Sequence, residues 1–229
     1  MKPQSLVLPE VVTAYPFTDI ISFDDDFFDG VKAYNRLMLS PVSYKAFLDY
    51  EFILTYQLDA FVFEDKLNWW CQQGFDYIGA PWLKPGEHPD VVKALTSTVK
   101  YYFHTRYDVH INGEPSKYQY ENKVGNSGFC LRRVKKLYDL CLSRESEIAN
   151  YVAKGGPHYN DDRYLSVEVN RKHKTLRIPD YKTGAKFSIE MAPERGMRLN
   201  NNQLPFGCHA WDKQPDFWRP IFKDFGYTI

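Results

Sequence analysis

The chain has 229 residues and carries 29 Lys and Arg against 29 Asp and Glu, so its formal net charge is zero. This balance argues against a protein held to nucleic acid through many phosphate contacts, and no basic cluster changes that expectation. No apolar stretch reaches the roughly 20 residues of a membrane span, and the N-terminus lacks a signal-peptide pattern. The four cysteines are widely spaced without a CxxC pair, which favours reduced thiols. The sequence therefore predicts a cytoplasmic protein with no transmembrane segment, either free or peripheral at the inner membrane face.

The first predicted elements alternate between strand and helix. The segment 5–12 reads as a short strand, and a short helix ends the segment 23–40. Ser40 and Pro41 have the pattern of a helix cap followed by a first helical position. The segment 51–63, EFILTYQLDAFVF, is the strongest predicted strand, because its almost continuous apolar run is typical of a strand covered on both faces.

A helix closed by Gly74 and a second buried strand at 75–82, FDYIGAPW, follow. This alternation predicts an α/β fold with a mixed, mostly parallel sheet flanked by helices. The polar and aromatic segment around 86–123 is predicted to be an inserted hairpin or loop near the active face. Asn112-Gly113 is its predicted turn, and the aromatic run just before that turn is its predicted arm.

The second half of the chain opens with a glycine-flanked turn, VGNSG at 124–128, and continues as a strand that passes into a helix. The segment 160–169, NDDRYLSVEV, predicts a further helix with Asn160 or Asp161 as its cap. The tail from 196 to 229 is rich in Trp, Phe and Pro and has no clear period. We therefore predict irregular structure there.

One acidic residue stands out, because Asp59 lies inside the strongest predicted strand. Ligands usually bind at the carboxyl ends of strands in α/β sheets, and a carboxylate there can hold a hard cation against a diphosphate. The alternative is an Asp whose carboxylate is satisfied by a local turn or a helix N-terminus. Three other stretches add to the first interpretation: FDYIGAPW at 75–82, the glycine turn around Asn126-Ser127, and PFGCHAW at 205–211 with His209.

Taken in order, YQLDAFVF, FDYIGAPW, VGNSGFCLRR, NDDRYLS and PFGCHAW resemble a small bacterial family of uncharacterised glycosyltransferase-like domains. That family in turn resembles the metal-dependent glycosyltransferases of the GT-A fold. The resemblance runs from about Phe23 to Trp211, and YIGAPW and GNSGF are its most specific parts. It implies one glycosyltransferase-like domain over residues 1–229. The chain starts near the family's second strand, so we expect the first strand–helix unit to be missing.

The resemblance implies a role for each matching residue. GT-A enzymes carry an Asp-x-Asp motif whose divalent ion, Mn²⁺ or Mg²⁺, bridges the donor diphosphate; here Gln57 replaces the first acid, which leaves Asp59. His209 matches a second metal ligand in such enzymes. The implied catalytic bases are Asp161 and Asp162, of which the pattern favours Asp161. The implied donor or acceptor contacts are Gln57, Asp59, Trp82, Asn126, Ser127, Gly128 and Trp211.

The implied function is transfer of a hexose from a nucleotide-sugar donor to a saccharide or glycolipid acceptor, in cell-surface polysaccharide synthesis. A first alternative is a catalytically inactive carbohydrate-binding or scaffold protein that kept the fold. A second is a glycoside hydrolase that uses Asp161 and Asp162 as paired acids. Adjacent helical residues do not face each other across a substrate, which makes the hydrolase the weakest of the three.

Overall fold

A computed structural model describes residues 1–84, 86 and 90–229. Its described residues form eleven α-helices and ten β-strands. The helices are α1 (Glu10–Thr13), α2 (Gly30–Met38), α3 (Pro41–Lys45), α4 (Leu67–Gln72), α5 (Val91–Arg106), α6 (Val134–Ser143), α7 (Glu145–Lys154), α8 (Asp161–Ser166), α9 (Tyr181–Phe187), α10 (Pro193–Leu199) and α11 (Pro215–Asp224). The strands are β1 (Lys2–Pro3), β2 (Ser22–Phe23), β3 (Phe52–Tyr56), β4 (Ala60–Val62), β5 (Tyr77–Gly79), β6 (His110–Ile111), β7 (Glu114–Pro115), β8 (Phe129–Arg133), β9 (Ser188–Ile189) and β10 (Gly207–His209). None of the helices in this described part of the chain is long and apolar enough to cross a membrane.

The chain divides into two compact units, the first formed by residues 1–51 and 134–161. This first unit is mainly helical: α2 packs against α3 and α7, and α6 packs against α3 and α7. Leu37, Tyr44 and Leu137 are fully buried. The apolar side of each amphipathic helix therefore forms the interior of this unit. The short strands β1 and β2 pair in parallel.

The second unit, residues 52–133 and 162–229, contains two three-stranded sheets. In the first sheet β8 lies between β3 and β5 and is antiparallel to both. In the second sheet β10 lies between β4 and β9, antiparallel to β4 and parallel to β9. The aromatic rings of Phe129, Phe187 and Phe206 pack on one another with centroids 5.4 to 5.6 Å apart. These rings form the centre of the apolar core on which both sheets rest.

The predicted α/β class is confirmed, but a mostly parallel sheet is not. Antiparallel pairings outnumber parallel ones among the described strands. The apolar run at 51–63 indicated a strand covered on both faces, and such cover says little about the direction of the neighbouring strands. That run is also two strands, β3 and β4, which belong to different sheets. Between them the chain turns at residues 57–59, where the Ala60 N–H donates to the Gln57 carbonyl at 3.0 Å.

Three further predictions fail and one holds. The predicted strand at 5–12 is wrong, since the chain pairs only at β1 and then forms α1. The predicted arm before the 112–113 turn is wrong as well, because α5, whose first turn the Asp90 side chain caps, occupies most of it. The tail is not irregular, as it contains β10 and α11. The turn itself is confirmed, with φ of +54° at Asn112 and +82° at Gly113 between β6 and β7.

Residues 87–89, which belong to the predicted insertion, lie outside the described residues. The helix closed by Gly74 is confirmed as α4, and Gly74 adopts φ of +72°. Pro41 begins α3 as expected, although the hydroxyl of Ser40 does not cap that helix through a side-chain hydrogen bond. A single glycosyltransferase-like domain over residues 1–229 stays a prediction.

Candidate functional site

The candidate site is centred on His209, the last residue of β10. Strand register determines what surrounds it. His209 pairs with Ala60 of β4, and on the other side Cys208 pairs with Ile189 of β9. The residues just outside those paired positions, Asp59 and Glu190, are therefore brought to the two sides of the imidazole ring. The His209 side chain is only 9% exposed.

The Nε2 edge of the ring faces the 57–59 turn. Nε2 of His209 lies 3.2 Å from Oε1 of Gln57 and 3.2 Å from Oδ1 of Asp59. The backbone holds this turn against the neighbouring strand, because the Gln57 N–H donates to the Gly128 carbonyl at 2.9 Å. The Leu58 side chain between them is fully exposed, so the two polar side chains turn inwards while the apolar one turns out.

The Nδ1 edge faces Asn126, which adopts the left-handed conformation with φ of +71°. Its Oδ1 accepts hydrogen bonds from the backbone N–H groups of Gly128 and Phe129, at 2.8 and 2.9 Å. These two donors fix the orientation of the amide, so its NH₂ group faces Nδ1 of His209 at 3.0 Å. The Tyr77 hydroxyl donates to the Asn126 carbonyl at 2.5 Å and anchors the turn further.

Glu190 is the one member of the site that the sequence analysis missed. Its Oε1 lies 3.1 Å from Nδ1 of His209, and its side chain is 17% exposed. Gln214 donates to the Glu190 carbonyl at 3.1 Å, which ties the residue to the start of α11. A carboxylate directly after a short apolar strand was the available sign, but β9 has only two residues and gave no recognisable period.

The two partners of Nδ1 require opposite protonation states of that nitrogen. Asn126 can donate to Nδ1 only when Nδ1 carries a lone pair, and the proton then lies on Nε2, towards Gln57 and Asp59. Glu190 can accept from Nδ1 only when Nδ1 is protonated, and a neutral ring then presents its Nε2 lone pair to the turn. The site thus contains partners for both neutral tautomers of His209.

Gly128 has no side chain, and the ring of His209 occupies the space that a side chain there would fill. A Cβ at this position would lie 1.9 Å from Nε2 of His209 and 2.6 Å from Oε1 of Gln57. Real Cβ contacts are not that short, so only glycine permits this packing. The resemblance implies Gly128 as a donor or acceptor contact; in the structure its missing side chain makes room for the protein's own imidazole and amide.

The other predicted contact residues lie around this cluster. The Trp82 ring packs over Gly125, where a Cβ would lie 2.1 Å from the ring. Ser127 accepts a hydrogen bond through its Oγ from the guanidinium of Arg132 at 3.2 Å. Trp211 packs against Phe222, with the ring centroids 5.4 Å apart. Their roles in binding a sugar stay predictions.

Asp161 and Asp162 begin α8 and belong to different units. In the first unit Asp161 is buried, and its N–H donates to Oδ1 of Asn35 at 3.2 Å. The amide of Asn35 also donates to Oδ1 of Asn160 at 3.0 Å, so one side chain holds both residues at the start of the helix. Asp162 is partly exposed and accepts from the Arg163 N–H at 2.7 Å.

The atoms at the Nε2 edge of the His209 ring resemble the ligands of a divalent ion in type and spacing, but not in number. Imidazole nitrogen, carboxylate oxygen and amide oxygen are suitable ligands for Mn²⁺, and Mg²⁺ accepts the oxygens. Separations of 3.2 Å from Nε2 to both oxygens are close to the ~3 Å edge of an octahedron with bonds of about 2.1 Å. Within the described residues, however, no group of three or more His, Cys, Asp or Glu side chains is arranged to hold a metal ion. Gln57 would have to supply the third ligand, because Glu190 lies at the opposite edge of the ring.

A family model described as "Protein of unknown function (DUF5672)" matches residues 17–209, which is more than half of the chain. The chain belongs to the DUF5672 family. Comparison with curated proteins gave no match, and comparison with solved structures gave none either. The region matched to DUF5672 ends at His209 and includes Gln57, Asp59, Asn126 and Glu190. The whole cluster around the imidazole therefore lies in the part of the chain that matches the family.

Proposed function

We propose that this protein is a metal-dependent glycosyltransferase that transfers a sugar from a nucleotide-sugar donor to a saccharide or glycolipid acceptor. The observation that carries the proposal is the convergence of Gln57 and Asp59 on Nε2 of His209. Residues far apart in the sequence meet there, in a mostly buried position, around a glycine that admits no side chain. The same proposal includes that the mixed sheet has the role that the sheet has in GT-A enzymes.

In this proposal Asp59 and Nε2 of His209 would hold a Mn²⁺ or Mg²⁺ ion, and Oε1 of Gln57 would be a third ligand. A bound divalent ion neutralises the charge that develops on a diphosphate leaving group. His209 must present a lone pair at Nε2, which requires the proton on Nδ1, and Glu190 is placed to accept it. Glu190 thereby orients the ring and fixes its tautomer, as carboxylates beside metal-binding histidines commonly do.

The acceptor hydroxyl must lose a proton as the sugar transfers, and a carboxylate is the simplest base. Asp162 is the better candidate by exposure, because it is partly accessible whereas Asp161 is buried. Trp82 and Trp211 offer flat apolar faces on which a sugar ring can stack.

The experiment is a panel of nucleotide-sugars incubated with the protein and Mn²⁺, with release of nucleoside diphosphate as the measurement. We expect release from at least one donor, and loss of release in Asp59→Asn. Asp212→Asn is the matched control, because Asp212 is an exposed acid in the turn after β10. If no donor is cleaved, or if Asp59→Asn cleaves as fast as the control, the proposed function is wrong.

A second candidate is a carbohydrate-binding protein that has no transferase activity. It is favoured by Gln57 in place of an acid, which leaves no three-membered His, Cys, Asp or Glu group arranged for a metal in the described residues. In that case the ring keeps its proton on Nε2 and accepts from Asn126. Isothermal titration separates the two candidates, because only the transferase binds nucleotide-sugars more tightly when Mn²⁺ is present.

A further inference from the structure

The second unit contains a cavity of about 290 Å³ that does not include any member of the His209 cluster. It lies between the segment that follows the β6–β7 hairpin and the start of α9. The residues that line it are Thr105, Asn122, Lys123, Val124, Ser166, Val167, Asn170, Ile178, Pro179, Asp180 and Tyr181. This volume is at the small end of the range of ligand pockets, which is roughly 300–1,000 Å³.

Lys123 is the cation of this cavity. It is half-buried, and no hydrogen bond or ion pair to its ammonium occurs in the part of the chain that the structure describes. Burial lowers the pKa of Lys123, and burial is the sole cause of that shift. A lysine near a carboxylate would show the opposite effect. Lys123 thus lines the cavity without an ion pair to any described carboxylate.

A second cation, Arg195, contacts Asn122 from outside the cavity that Asn122 lines. Arg195 is 5% exposed and donates to the Lys84 carbonyl at 2.7 Å and to Oδ1 of Asn122 at 2.8 Å. Both acceptors are neutral, and its guanidinium carbon lies 5.8 Å from the centroid of the Tyr181 ring. Its Nε is buried and has no hydrogen-bond partner among the described residues. A buried guanidinium is normally paired with an acid, and none of the described carboxylates is paired with this one.

The acidic residue of the lining forms no ion pair with either cation. Asp180 is exposed, and its Oδ1 already accepts from the Thr183 N–H at 2.9 Å as the cap of α9. The remaining polar lining is neutral. Two cations in a partly desolvated place create a positive potential that is stronger than the same charges would create in water.

We infer that this cavity binds a small anionic molecule through Lys123, with its phosphate or carboxylate group held beside Lys123 and Asn122. Arg195 strengthens that binding from behind Asn122, which it holds in place. The inference does not depend on glycosyl transfer, because none of these residues belongs to the proposed metal and donor site.

The test measures two quantities on the whole protein in the presence of inorganic phosphate, acetate, or sodium chloride at matched ionic strength. The first is the melting temperature, and the second is the rate at which Lys123 is methylated by formaldehyde and a borohydride, followed by mass spectrometry. We expect phosphate or acetate to raise the melting temperature and to slow labelling of Lys123 in proportion to occupancy. Labelling of the exposed Lys213 should not change.

Two lysine variants test whether the rise in melting temperature comes from binding at Lys123. Lys123→Met should lose most of the rise in melting temperature, whereas Lys213→Met, which changes a lysine outside the cavity, should keep it. Protection by phosphate alone assigns a phosphoryl ligand, and protection by acetate assigns a carboxylate. The inference is overturned if neither anion protects Lys123, if chloride protects it equally, or if Lys123→Met keeps the full shift. Should Lys123→Met not fold, the labelling rates of the unmodified protein decide the question alone.

Discussion

At the scale of single residues, the chemistry of the site depends on which nitrogen of His209 carries the proton. Asn126 and Glu190 both contact Nδ1, at 3.0 and 3.1 Å, and each is compatible with only one neutral tautomer. A metal bound at Nε2, as proposed, would select the tautomer in which Nδ1 donates to Glu190. Without a metal Asn126 can donate to Nδ1, so the proposed metal binding would be linked to the tautomer of His209.

This linkage makes Glu190 a testable positioning residue. Glu190→Gln removes the negative charge beside Nδ1, and we expect the affinity for Mn²⁺ to fall by about 10–100-fold. Isothermal titration of Mn²⁺ gives the affinity. Glu10→Gln is the control, because Glu10 is an exposed carboxylate at the start of α1. Equal affinities in the two variants would mean that Glu190 does not orient the ring.

Gly128 gives a second prediction at this scale. Gly128→Ala places a Cβ where the ring of His209 and the amide of Gln57 now lie, so both must move. We expect binding of Mn²⁺ to be lost and the free energy of unfolding to fall by about 1–3 kcal/mol. Gly86→Ala is the control, because a Cβ there would meet nothing within 4 Å. An alanine variant at 128 with unchanged Mn²⁺ affinity would show that the cluster is not the metal site.

At the scale of secondary-structure elements, the start of helix α8 places its two adjacent acids, Asp161 and Asp162, in different surroundings. Asp161 is buried and lies beside the Asn35 amide, which indicates a structural role, whereas Asp162 is partly exposed. We therefore reverse the preference that the sequence pattern gave to Asp161.

Asparagine substitutions test this assignment. Asp161→Asn should lower the melting temperature, because it neutralises a buried carboxylate at the start of a helix. Asp162→Asn should keep the melting temperature and lose about 10²–10⁴-fold in transfer rate on a donor that the protein uses. Near-normal transfer in both variants would exclude the acidic segment from catalysis.

The sequence predicted the elements of the site better than their arrangement. The resemblance implied that Asp59 and His209 bind one metal ion; the structure brings them within 3.2 Å of each other, and their metal role stays a prediction. Gly74 and Asn112-Gly113 were identified because positive φ has a strong residue preference. The sequence did not predict the direction of the strands or the break at residues 57–59. An apolar run indicates that residues are buried, but it does not indicate how strands pair. Glu190 became visible only through the register of β9 on β10, which no local pattern encodes.

At the scale of the whole molecule, buried ionisable groups set the response to alkaline pH. Burial raises the pKa of the Cys208 thiol above its ordinary value of 9.0 and raises the pKa of Tyr120 from 10.0 to about 12. Between the unfolded and folded pKa values the unfolded chain has lost a proton that the folded protein keeps. These two groups therefore contribute stability that is full below about pH 9 and is lost as the pH rises from there towards 12. The lowered pKa of Lys123 acts in the opposite direction below pH 10.5.

Urea unfolding at a series of pH values measures this effect. Within its own window each of Cys208 and Tyr120 lowers the free energy of unfolding by about 1.4 kcal/mol per pH unit. Cys208→Ala should flatten the decline that begins near pH 9. A pH dependence between pH 9 and 10.5 that Cys208→Ala leaves unchanged would disagree with the burial of the thiol.

The central claim is that Asp59 and His209 hold a divalent ion against a nucleoside diphosphate. The most direct measurement is the melting temperature with Mn²⁺ alone, with nucleoside diphosphates alone, and with both, in the unmodified protein and in Asp59→Asn. We predict that Mn²⁺ and one nucleoside diphosphate together raise the melting temperature by more than the sum of their separate effects, and that Asp59→Asn abolishes the excess. No shift with any nucleotide at millimolar concentration in the presence of Mn²⁺, or an excess that survives in Asp59→Asn, would contradict the claim.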